Sequence, residues 1–271
     1  MSIEDMMIYA IEAAYLAGDV LLKRYLHVQD VKEKSDVTDL VTEADREAES
    51  VVRNYLNEVL NGTDFSIVGE EEGGNTRGRY VWYVDPLDGT ANFAKGIPIY
   101  AVSIGVLDGG KFYMGAIYHP TENMLYWGSV KTGAWLNGRR VRPQYESEVS
   151  KAYVGLGFPR RCTEEAQNAS LLFQDYSALN ARKFRSIGSA ALGLAWVASG
   201  FLDMYFQPCL SMWDMAAGVA LVLASGGSVY IDRVDDTTFG VVATGSEELY
   251  EEYIRNISYL KRYKPVEQLT P

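Results

Sequence analysis

The order of apolar and polar residues predicts two helices at the start of the chain, followed by strands. Residues 3–26 carry apolar side chains at helical spacing, with small alanines among them, which predicts a long packed helix. A second amphipathic pattern over residues 45–60 predicts another helix, ended by Asn61-Gly62. Short apolar runs at residues 65–68 and 80–84 then predict strands.

The pattern changes twice more along the chain. Residues 100–141 predict a strand–turn–strand series, with turns at residues 108–110, 120–123 and 137–138. Beyond residue 150, strands and helices alternate, with helices predicted at 163–179, 188–199, 213–224 and 247–261. We therefore expect two closely packed halves: residues 1–146, with most of the candidate ligands, and residues 147–271.

Composition narrows the class of protein. The 271 residues are 48% hydrophobic and 23% charged, as in ordinary globular proteins. A net charge of −11 argues against a nucleic-acid partner. No apolar run approaches the roughly 18 residues of a membrane span, and the first seven residues lack the basic part of a signal peptide. Two widely separated cysteines predict reduced thiols and a cytoplasmic location. With only two histidines, a His-rich zinc site is not expected.

The candidate chemistry centres on the segment Asp85-Pro86-Leu87-Asp88-Gly89-Thr90, directly after an apolar strand pattern. Two carboxylates three residues apart offer hard oxygen ligands for a divalent cation. The glycine and the turn into a short helical segment offer backbone N–H groups to an anion. A cation and a phosphate at one strand end predict a metal-dependent phosphatase.

Five acidic residues follow or interrupt apolar elements. They are Asp45, Glu70, Asp85, Asp88 and Asp214. Taken singly, each of these acids is explained by a helix cap or by exposure to solvent. Together they indicate bound cations, because unpaired carboxylates are costly to bury. A donor set without His or Cys favours Mg²⁺ or Mn²⁺ over zinc. The Asp-x-Asp spacing of haloacid-dehalogenase-type phosphatases is absent at this strand end, which argues against that class.

Four motifs together resemble the inositol monophosphatase family. The two signatures are Asp85–Phe93, of the form D-P-[IL]-D-G-T-x-N-F, and Trp213–Gly218, of the form W-D-x-A-[AG]-G. Residues 39–45 and 69–71 match two further family elements, so the resemblance covers nearly the whole chain. Residues 96–100 resemble the branch that hydrolyses both inositol monophosphate and fructose 1,6-bisphosphate. The resemblance implies an α+β fold, a layered α-β-α-β-α sandwich of the sugar phosphatase type, and a homodimer.

The resemblance also implies two or three Mg²⁺ ions, with Mn²⁺ as a possible substitute. One ion is expected on Glu70, Asp85 and the backbone carbonyl of Leu87. A second is expected on Asp85, Asp88 and Asp214, with a third and weaker ion near Glu70. Two cations a few ångströms apart can hold the attacking and leaving oxygens of an in-line displacement. Glu71 is expected to support this ligand set from behind.

The same resemblance assigns roles to residues that activate water and bind phosphate. Thr90 and Asp45 form the pair expected to orient and deprotonate the attacking water. The N–H groups of Gly89 and Thr90 are expected to bind the phosphate. The Thr90 hydroxyl also suits a helix cap. Lys34 lies in the mobile segment that closes over the metals in this family, and a solvated loop lysine is the alternative.

The leaving-group side is less defined by the sequence. Gly188, Ser189 and Ala190 match the family's G-[ST]-A turn, which lines the leaving-group pocket. Gln207 stands where inositol-preferring enzymes usually carry Glu and several fructose-bisphosphate enzymes carry a basic residue. A second substrate phosphate would need cations, and Arg160 and Arg185 are candidates, with ordinary surface bases as the alternative.

Together these features predict an enzyme, a metal-dependent phosphomonoesterase acting on inositol monophosphate, fructose 1,6-bisphosphate or both by metal-activated water attack. A 3′-phosphoadenosine 5′-phosphate phosphatase is one alternative, but those relatives usually carry an acid where Asn92 stands. A catalytically silent metal-binding interaction protein is the other. The six candidate residues Asp45, Glu70, Asp85, Asp88, Thr90 and Asp214 argue together against it.

Overall fold

The computed structural model describes residues 2–25, 31–33, 40–158 and 162–266. The predicted first helix is α1, Ile3–Arg24, and Ser2 and Asp5 cap its start by exchanging hydrogen bonds. Small buried side chains let α1 pack closely; they are Ala10, Ala13, Ala14 and Ala17. The second predicted helix is α2, Glu43–Val59, which begins two residues earlier than expected.

Five further helices follow within the described residues. They are α3 Thr90–Ala94, α4 Glu164–Asn180, α5 Ala190–Ala198, α6 Met212–Ser225 and α7 Glu247–Asn256. The last predicted helix was too long. The chain leaves the helix at Ile257, whose φ of −127° and ψ of 93° are extended, and continues as a 3-10 helix, Ser258–Arg262. Among the described residues, no helix combines the length and the apolarity that a bilayer crossing needs.

The first large sheet has eight strands, in the order β10-β9-β8-β7-β6-β5-β3-β4. All neighbours are antiparallel except β3 and β5, which are parallel. The strand bounds are β3 Phe65–Gly69, β4 Gly73–Gly74, β5 Tyr80–Asp88, β6 Ala101–Asp108, β7 Lys111–His119, β8 Met124–Ser129, β9 Gly133–Leu136 and β10 Arg139–Val141. The expected strand–turn–strand series over residues 100–141 is confirmed.

The second large sheet has six strands, in the order β12-β11-β13-β15-β14-β16. β11 lies parallel to both of its neighbours, and the other pairs are antiparallel. The bounds are β11 Tyr153–Leu156, β12 Lys183–Ser186, β13 Met204–Leu210, β14 Ser228–Arg233, β15 Phe239–Thr244 and β16 Lys264–Pro265. β1, Val31–Glu33, and β2, Leu40–Thr42, pair antiparallel as a separate two-stranded sheet.

Three buried clusters between these elements define five layers. The first lies between α1, α2 and one face of the eight-stranded sheet. The second lies around α5 and α6, between the two sheets, and the third joins the six-stranded sheet to α4 and α7. Side chains alternate along β13 as a strand requires: Tyr205 faces the middle layer, and Met204 and Phe206 face α4 and α7. The predicted α-β-α-β-α sandwich is confirmed, while the boundary at residues 146 and 147 stays a prediction.

The two cysteines are not separate thiols, so that prediction was wrong. Cys162 and Cys209 are paired as a disulfide, and their Cα atoms are 6.2 Å apart. The end of β13 brings Cys209 to the residues that precede α4, where both side chains pack against the third cluster. A separation of 47 residues gave no sign of this contact. The cysteine argument for a reducing compartment therefore no longer holds.

Candidate active site

Two neighbouring parallel strands bring the first two acidic side chains to one edge of the sheet. β3 pairs with β5 so that Gly69 lies opposite Val84. The backbone N–H of Glu70 then donates to the Val84 carbonyl at 3.2 Å. Glu70 therefore leaves its strand beside Asp85, the next residue of β5.

A pair of glycines brings the third acid to the same place. Gly105 on β6 and Gly115 on β7 lie opposite each other in the sheet. A Cβ at Gly105 would collide with the backbone nitrogen of Ala217, and one at Gly115 would lie 2.5 Å from the Ala217 carbonyl oxygen. The backbone of α6 thus lies directly on the eight-stranded sheet. We had not predicted this role; the sequence signal is two glycines on paired strands and an Ala-Ala-Gly helix.

The start of α6 is fixed by polar contacts as well. The hydroxyl of Ser103 on β6 donates to the Trp213 carbonyl at 3.3 Å. The carboxylate of Asp214 accepts the backbone N–H of Ser211 at 2.6 Å. Asp214 therefore occupies the first turn of a helix that is held against the strands carrying the other acids.

Glu70, Asp85 and Asp214 form a compact carboxylate cluster. Each offers an oxygen within 4.8 Å of the others, and Asp85 is only 1% exposed. Three like charges that close together are unfavourable without a counter-charge. A set of carboxylate oxygens alone, held by rigid elements, fits Mg²⁺ or Mn²⁺. Three of the residues predicted from the sequence as metal ligands are thus brought together.

Asp88 lies at the edge of this cluster and has additional partners. Its carboxylate accepts the backbone N–H groups of Ala190 at 3.2 Å and Ala191 at 2.9 Å, and the hydroxyl of Ser189. Ser189 in turn accepts the N–H of Leu192 and caps α5. The predicted substrate turn therefore also holds Asp88 in place, a link that the sequence did not reveal.

The carboxyl groups are harder to ionise than free ones. Burial raises the pKa of Asp85 well above its ordinary value, and the negative charge of Glu70 adds to this. Burial and the charge of Glu70 also raise the pKa of Asp214. Burial raises the pKa of Asp88 to about 6, although the hydrogen bonds from Ser189, Ala191 and Ala190 oppose the shift. A cation between these oxygens would offset the cost of ionising them.

These raised pKa values predict an unusual pH dependence. Between the unfolded pKa near 3.8 and the folded pKa of Asp88 near 6, the folded chain binds more protons than the unfolded chain. Ionisation of this group with rising pH therefore lowers the stability of the metal-free protein, by about 2–3 kcal/mol. Mg²⁺ should offset the loss, because a cation between the carboxylates stabilises their deprotonated form. Urea unfolding from pH 4.5 to 7.5 with EDTA or MgCl₂ tests this; an Mg²⁺ stabilisation that does not grow with pH would contradict it.

The turn after Asp88 can only be made by glycine. Gly89 has a φ of 96°, and its Cβ would come within 2.9 Å of the Ile99 carbonyl and 3.3 Å of the Gly188 carbonyl. Thr90 begins α3, and its hydroxyl donates to the Leu87 carbonyl at 3.1 Å. The N–H groups of Gly89 and Thr90, predicted to bind phosphate, thus lie between the carboxylates and the Gly188 turn.

Asn92 joins the two halves of the site, which the sequence analysis missed. Its side-chain amide donates to the Ile99 carbonyl at 2.7 Å and to the Ile187 carbonyl at 3.1 Å. Gly188 has a φ of 76° and lies against this amide. Because both partners are carbonyls, a donor is required, and an acid at this position would repel them.

Asn92→Asp should therefore destabilise the fold. Replacing a donor by a charged acceptor leaves two carbonyls facing a carboxylate, at a cost of about 2–3 kcal/mol. Asn54→Asp, on the exposed side of α2, is the matched control and should stay within about 0.5 kcal/mol of wild type. Urea denaturation of the three proteins measures the difference, and equal stabilities would show that Asn92 does not hold the two segments.

Asp45 and Glu71 lie on the α2 side of the site. Asp45 is fully buried in the first turn of α2, and its charge contributes to the raised pKa of Asp85. Asp45 therefore lies near Asp85, and its role in orienting water stays a prediction. The Glu71 side chain is almost buried and lies 3.8 Å from the Arg46 guanidinium.

The residues predicted to contact the leaving group have different positions. Gln207, on β13, accepts a hydrogen bond from the Tyr205 hydroxyl at 2.6 Å. Burial and the charges of Asp88 and Asp214 raise the pKa of Tyr205, so this pair lies beside the cluster. Arg185 is exposed on the edge strand β12, where it bonds the Phe184 carbonyl. Lys34 and Arg160 lie outside the described residues.

Two similar curated proteins carry different names. The chain is 33% identical over 244 residues to "Fructose-1,6-bisphosphatase/inositol-1-monophosphatase" of Aquifex aeolicus, covering 88% of this chain and 90% of that protein. It is 37% identical over 221 residues to "Nus factor SuhB" of Xylella fastidiosa, covering 81% and 79%. Both alignments extend over most of this chain and most of each relative, so the similarity is not confined to isolated motifs.

A solved structure and a family model agree with these relatives. The inositol monophosphatase of Anabaena sp. PCC 7120 superposes with a TM-score of 0.81 at 30% identity, covering 99% of both chains. The model of the inositol monophosphatase family matches residues 2–258. The relatives that match this chain thus include proteins named as phosphatases, and the chain itself contains the acidic cluster described above. The chain belongs to the inositol monophosphatase family, and it is a phosphoric monoester hydrolase.

Proposed function

We propose that this protein is an Mg²⁺-dependent phosphomonoesterase that hydrolyses both inositol monophosphate and fructose 1,6-bisphosphate. The observation that carries the proposal is the carboxylate cluster of Glu70, Asp85 and Asp214, with oxygens within 4.8 Å of one another. It lies at the strand ends beside the Gly89 turn, so cation and phosphate sites would adjoin.

The ions would be held by Glu70, Asp85, the Leu87 carbonyl, Asp88 and Asp214, with Glu71 behind them. When bound, Mg²⁺ supplies positive charge that stabilises phosphate oxygens and makes water easier to deprotonate. Backbone and side-chain groups of the protein would bind the phosphate and orient the water. Gly89 and Thr90 present backbone N–H groups to the phosphate, and Asp45 with the Thr90 hydroxyl orients the attacking water.

The rigid hydrogen bonds of the site support this assignment. Asp88 is held by the start of α5, and the Thr90 hydroxyl is already within hydrogen-bond distance of the Leu87 carbonyl. Groups fixed before substrate arrives need little reorganisation in the transition state. A role for Lys34 near the ions stays a prediction of the family resemblance.

Gln207 supports a broad rather than a strict substrate choice. Its amide oxygen accepts from Tyr205, and its nitrogen is 3.5 Å from the Cys209 carbonyl oxygen. A neutral amide neither repels a second substrate phosphate, as Glu would, nor attracts it, as a base would. The Gly188–Ala190 turn would line the same pocket, with Arg160 and Arg185 as partners for a second phosphate. The homodimer and the cytoplasmic location stay predictions.

Phosphate release from a panel of esters tests the proposal. Wild-type protein with MgCl₂ should release phosphate from inositol 1-phosphate and from fructose 1,6-bisphosphate, and EDTA should stop both reactions. 3′-Phosphoadenosine 5′-phosphate should be a poor substrate, because Asn92 replaces the acid usual in those enzymes. Faster hydrolysis of that nucleotide would favour the nucleotide-phosphatase alternative. No release from any ester would favour a silent metal-binding protein.

A further inference from the structure

A buried glutamate on α2 contacts the turn that follows Glu70. Glu49 is fully buried and lies one helical turn after Asp45. Its carboxylate accepts the backbone N–H of Glu71 at 2.7 Å and that of Glu72 at 3.0 Å. With the Glu70 N–H on the Val84 carbonyl, three successive N–H groups of this turn have fixed acceptors.

Arg53 completes the arrangement. Its guanidinium lies 2.7 Å from the Glu49 carboxylate, donates to the Gly73 carbonyl and lies 3.4 Å from the Glu72 carboxylate. The buried charge of Glu49 is therefore paired, and both ends of the turn are tied to α2. A buried carboxylate with this many partners is costly to replace.

Gly69, the last residue of β3, leaves room for the Glu49 carboxylate. A Cβ at Gly69 would overlap the Glu49 carboxylate and lie 2.8 Å from the Arg53 guanidinium. Because Gly69 has no side chain, the carboxylate can lie against the strand end just before Glu70. Glu49 thus contacts the backbone on both sides of the candidate metal ligand, at Gly69 and at Glu71.

We propose that Glu49 is a positioning residue of the metal centre, which fixes the Glu70 carboxylate by holding the backbone of residues 69–72. The proposal rests on the proposed function. Repulsion from Asp85 and Asp214 pushes Glu70 away from the cluster when no cation is bound. Glu49 opposes that displacement. Because Asp45 lies on the same helix, Glu49 also ties the water-orienting carboxylate to the metal ligand.

A purely stabilising ion pair would behave differently from a positioning residue. Loss of a stabilising pair lowers the melting temperature and leaves the metal affinity of the folded protein unchanged. Loss of a positioning contact lowers the metal affinity itself, since groups behind metal ligands typically contribute 10- to 100-fold. Metal binding must therefore be measured directly on folded protein.

The test compares Glu49→Gln with wild type by Mn²⁺ binding and by Mg²⁺ activation. The amide keeps the shape of the side chain but places an NH₂ group against one of the two backbone N–H groups. We expect at least about tenfold weaker Mn²⁺ binding by electron paramagnetic resonance. The Mg²⁺ concentration for half-maximal rate should rise by a similar factor, with the KM for inositol 1-phosphate unchanged. Glu47→Gln, exposed on the same helix and paired with Arg24, should match wild type.

The outcomes separate this inference from the proposed function. Unchanged Mn²⁺ affinity in folded Glu49→Gln, with an active wild type, overturns the positioning role alone. A wild type that binds Mn²⁺ but hydrolyses no ester contradicts the proposed function instead. If Glu49→Gln does not fold, Arg53→Lys is measured in its place. Lysine keeps the positive charge beside Glu49 but lacks the planar guanidinium group of arginine. That variant should weaken Mn²⁺ binding about threefold, and wild-type affinity there would overturn the inference.

Discussion

Asp85→Asn should abolish hydrolysis and at the same time stabilise the metal-free protein. The variant removes a carboxylate that the proposed ions share, so turnover should fall by at least about 10³-fold. Without metal, Asp85 is a buried acid whose pKa is raised by burial and by Glu70. A neutral amide removes that electrostatic cost. Its oxygen can still accept the Leu87 N–H, as Asp85 does at 2.9 Å.

The gain in metal-free stability should be on the order of 1 kcal/mol or more, about 2–4 °C in Tm. Thermal unfolding with EDTA and with MgCl₂ measures it, and wild type should gain more from Mg²⁺ than the variant. Asp236→Asn, whose side chain is fully exposed, is the matched control and should change neither rate nor Tm. A metal-free variant less stable than wild type would show that the cluster is not strained by its charges.

Gly105→Ala should be among the most damaging single-methyl additions. The new Cβ would collide with the backbone of α6 at Ala217, and both partners are regular elements that cannot yield locally. We expect a loss of about 2–3 kcal/mol from overpacking. The helix would shift outward with Asp214, and displacements near 1 Å can cost 10²-fold in rate. Urea denaturation and phosphate release measure the two effects.

Gly138→Ala is the control for Gly105→Ala, because it introduces backbone strain without crowding. Gly138 has a φ of 78° in the β9–β10 turn, and nothing lies within 4 Å of the position that a Cβ would take there. An alanine should cost about 1 kcal/mol through the left-handed conformation and leave the rate unchanged. If Gly105→Ala is no worse than Gly138→Ala, the glycine pair does not position α6.

The acidic residues could be found from the sequence because each lies at the end of a regular element. A buried strand pattern places Glu70 directly after β3 and Asp85 among the last four residues of β5, and a helix start places Asp214. The motifs around them carry the family resemblance, from which the layered fold follows. Position along an element is a local property, so local patterns reveal it.

The supporting contacts could not be found in this way because they join distant segments. Glu49 is separated by 22 residues from Glu71, whose backbone N–H it accepts, and Asn92 is separated from Ile187 by 95. Helical spacing places Glu49 on the buried face of α2 with Val52 and Leu56, but no local pattern shows which backbone groups its carboxylate contacts. The pairing of Cys162 with Cys209 has the same cause. Such contacts depend on how the sheets and helices pack, which is set by the whole chain.

The most direct test of the central claim is an anomalous difference map, recorded at the manganese edge from crystals grown with Mn²⁺. We expect peaks bounded by the carboxylates of Glu70, Asp85 and Asp214, with one of them beside the Leu87 carbonyl. The same peaks should be absent or weak in Asp85→Asn. Strong peaks only at other carboxylates, or none in wild-type crystals saturated with Mn²⁺, would contradict a metal centre at this cluster.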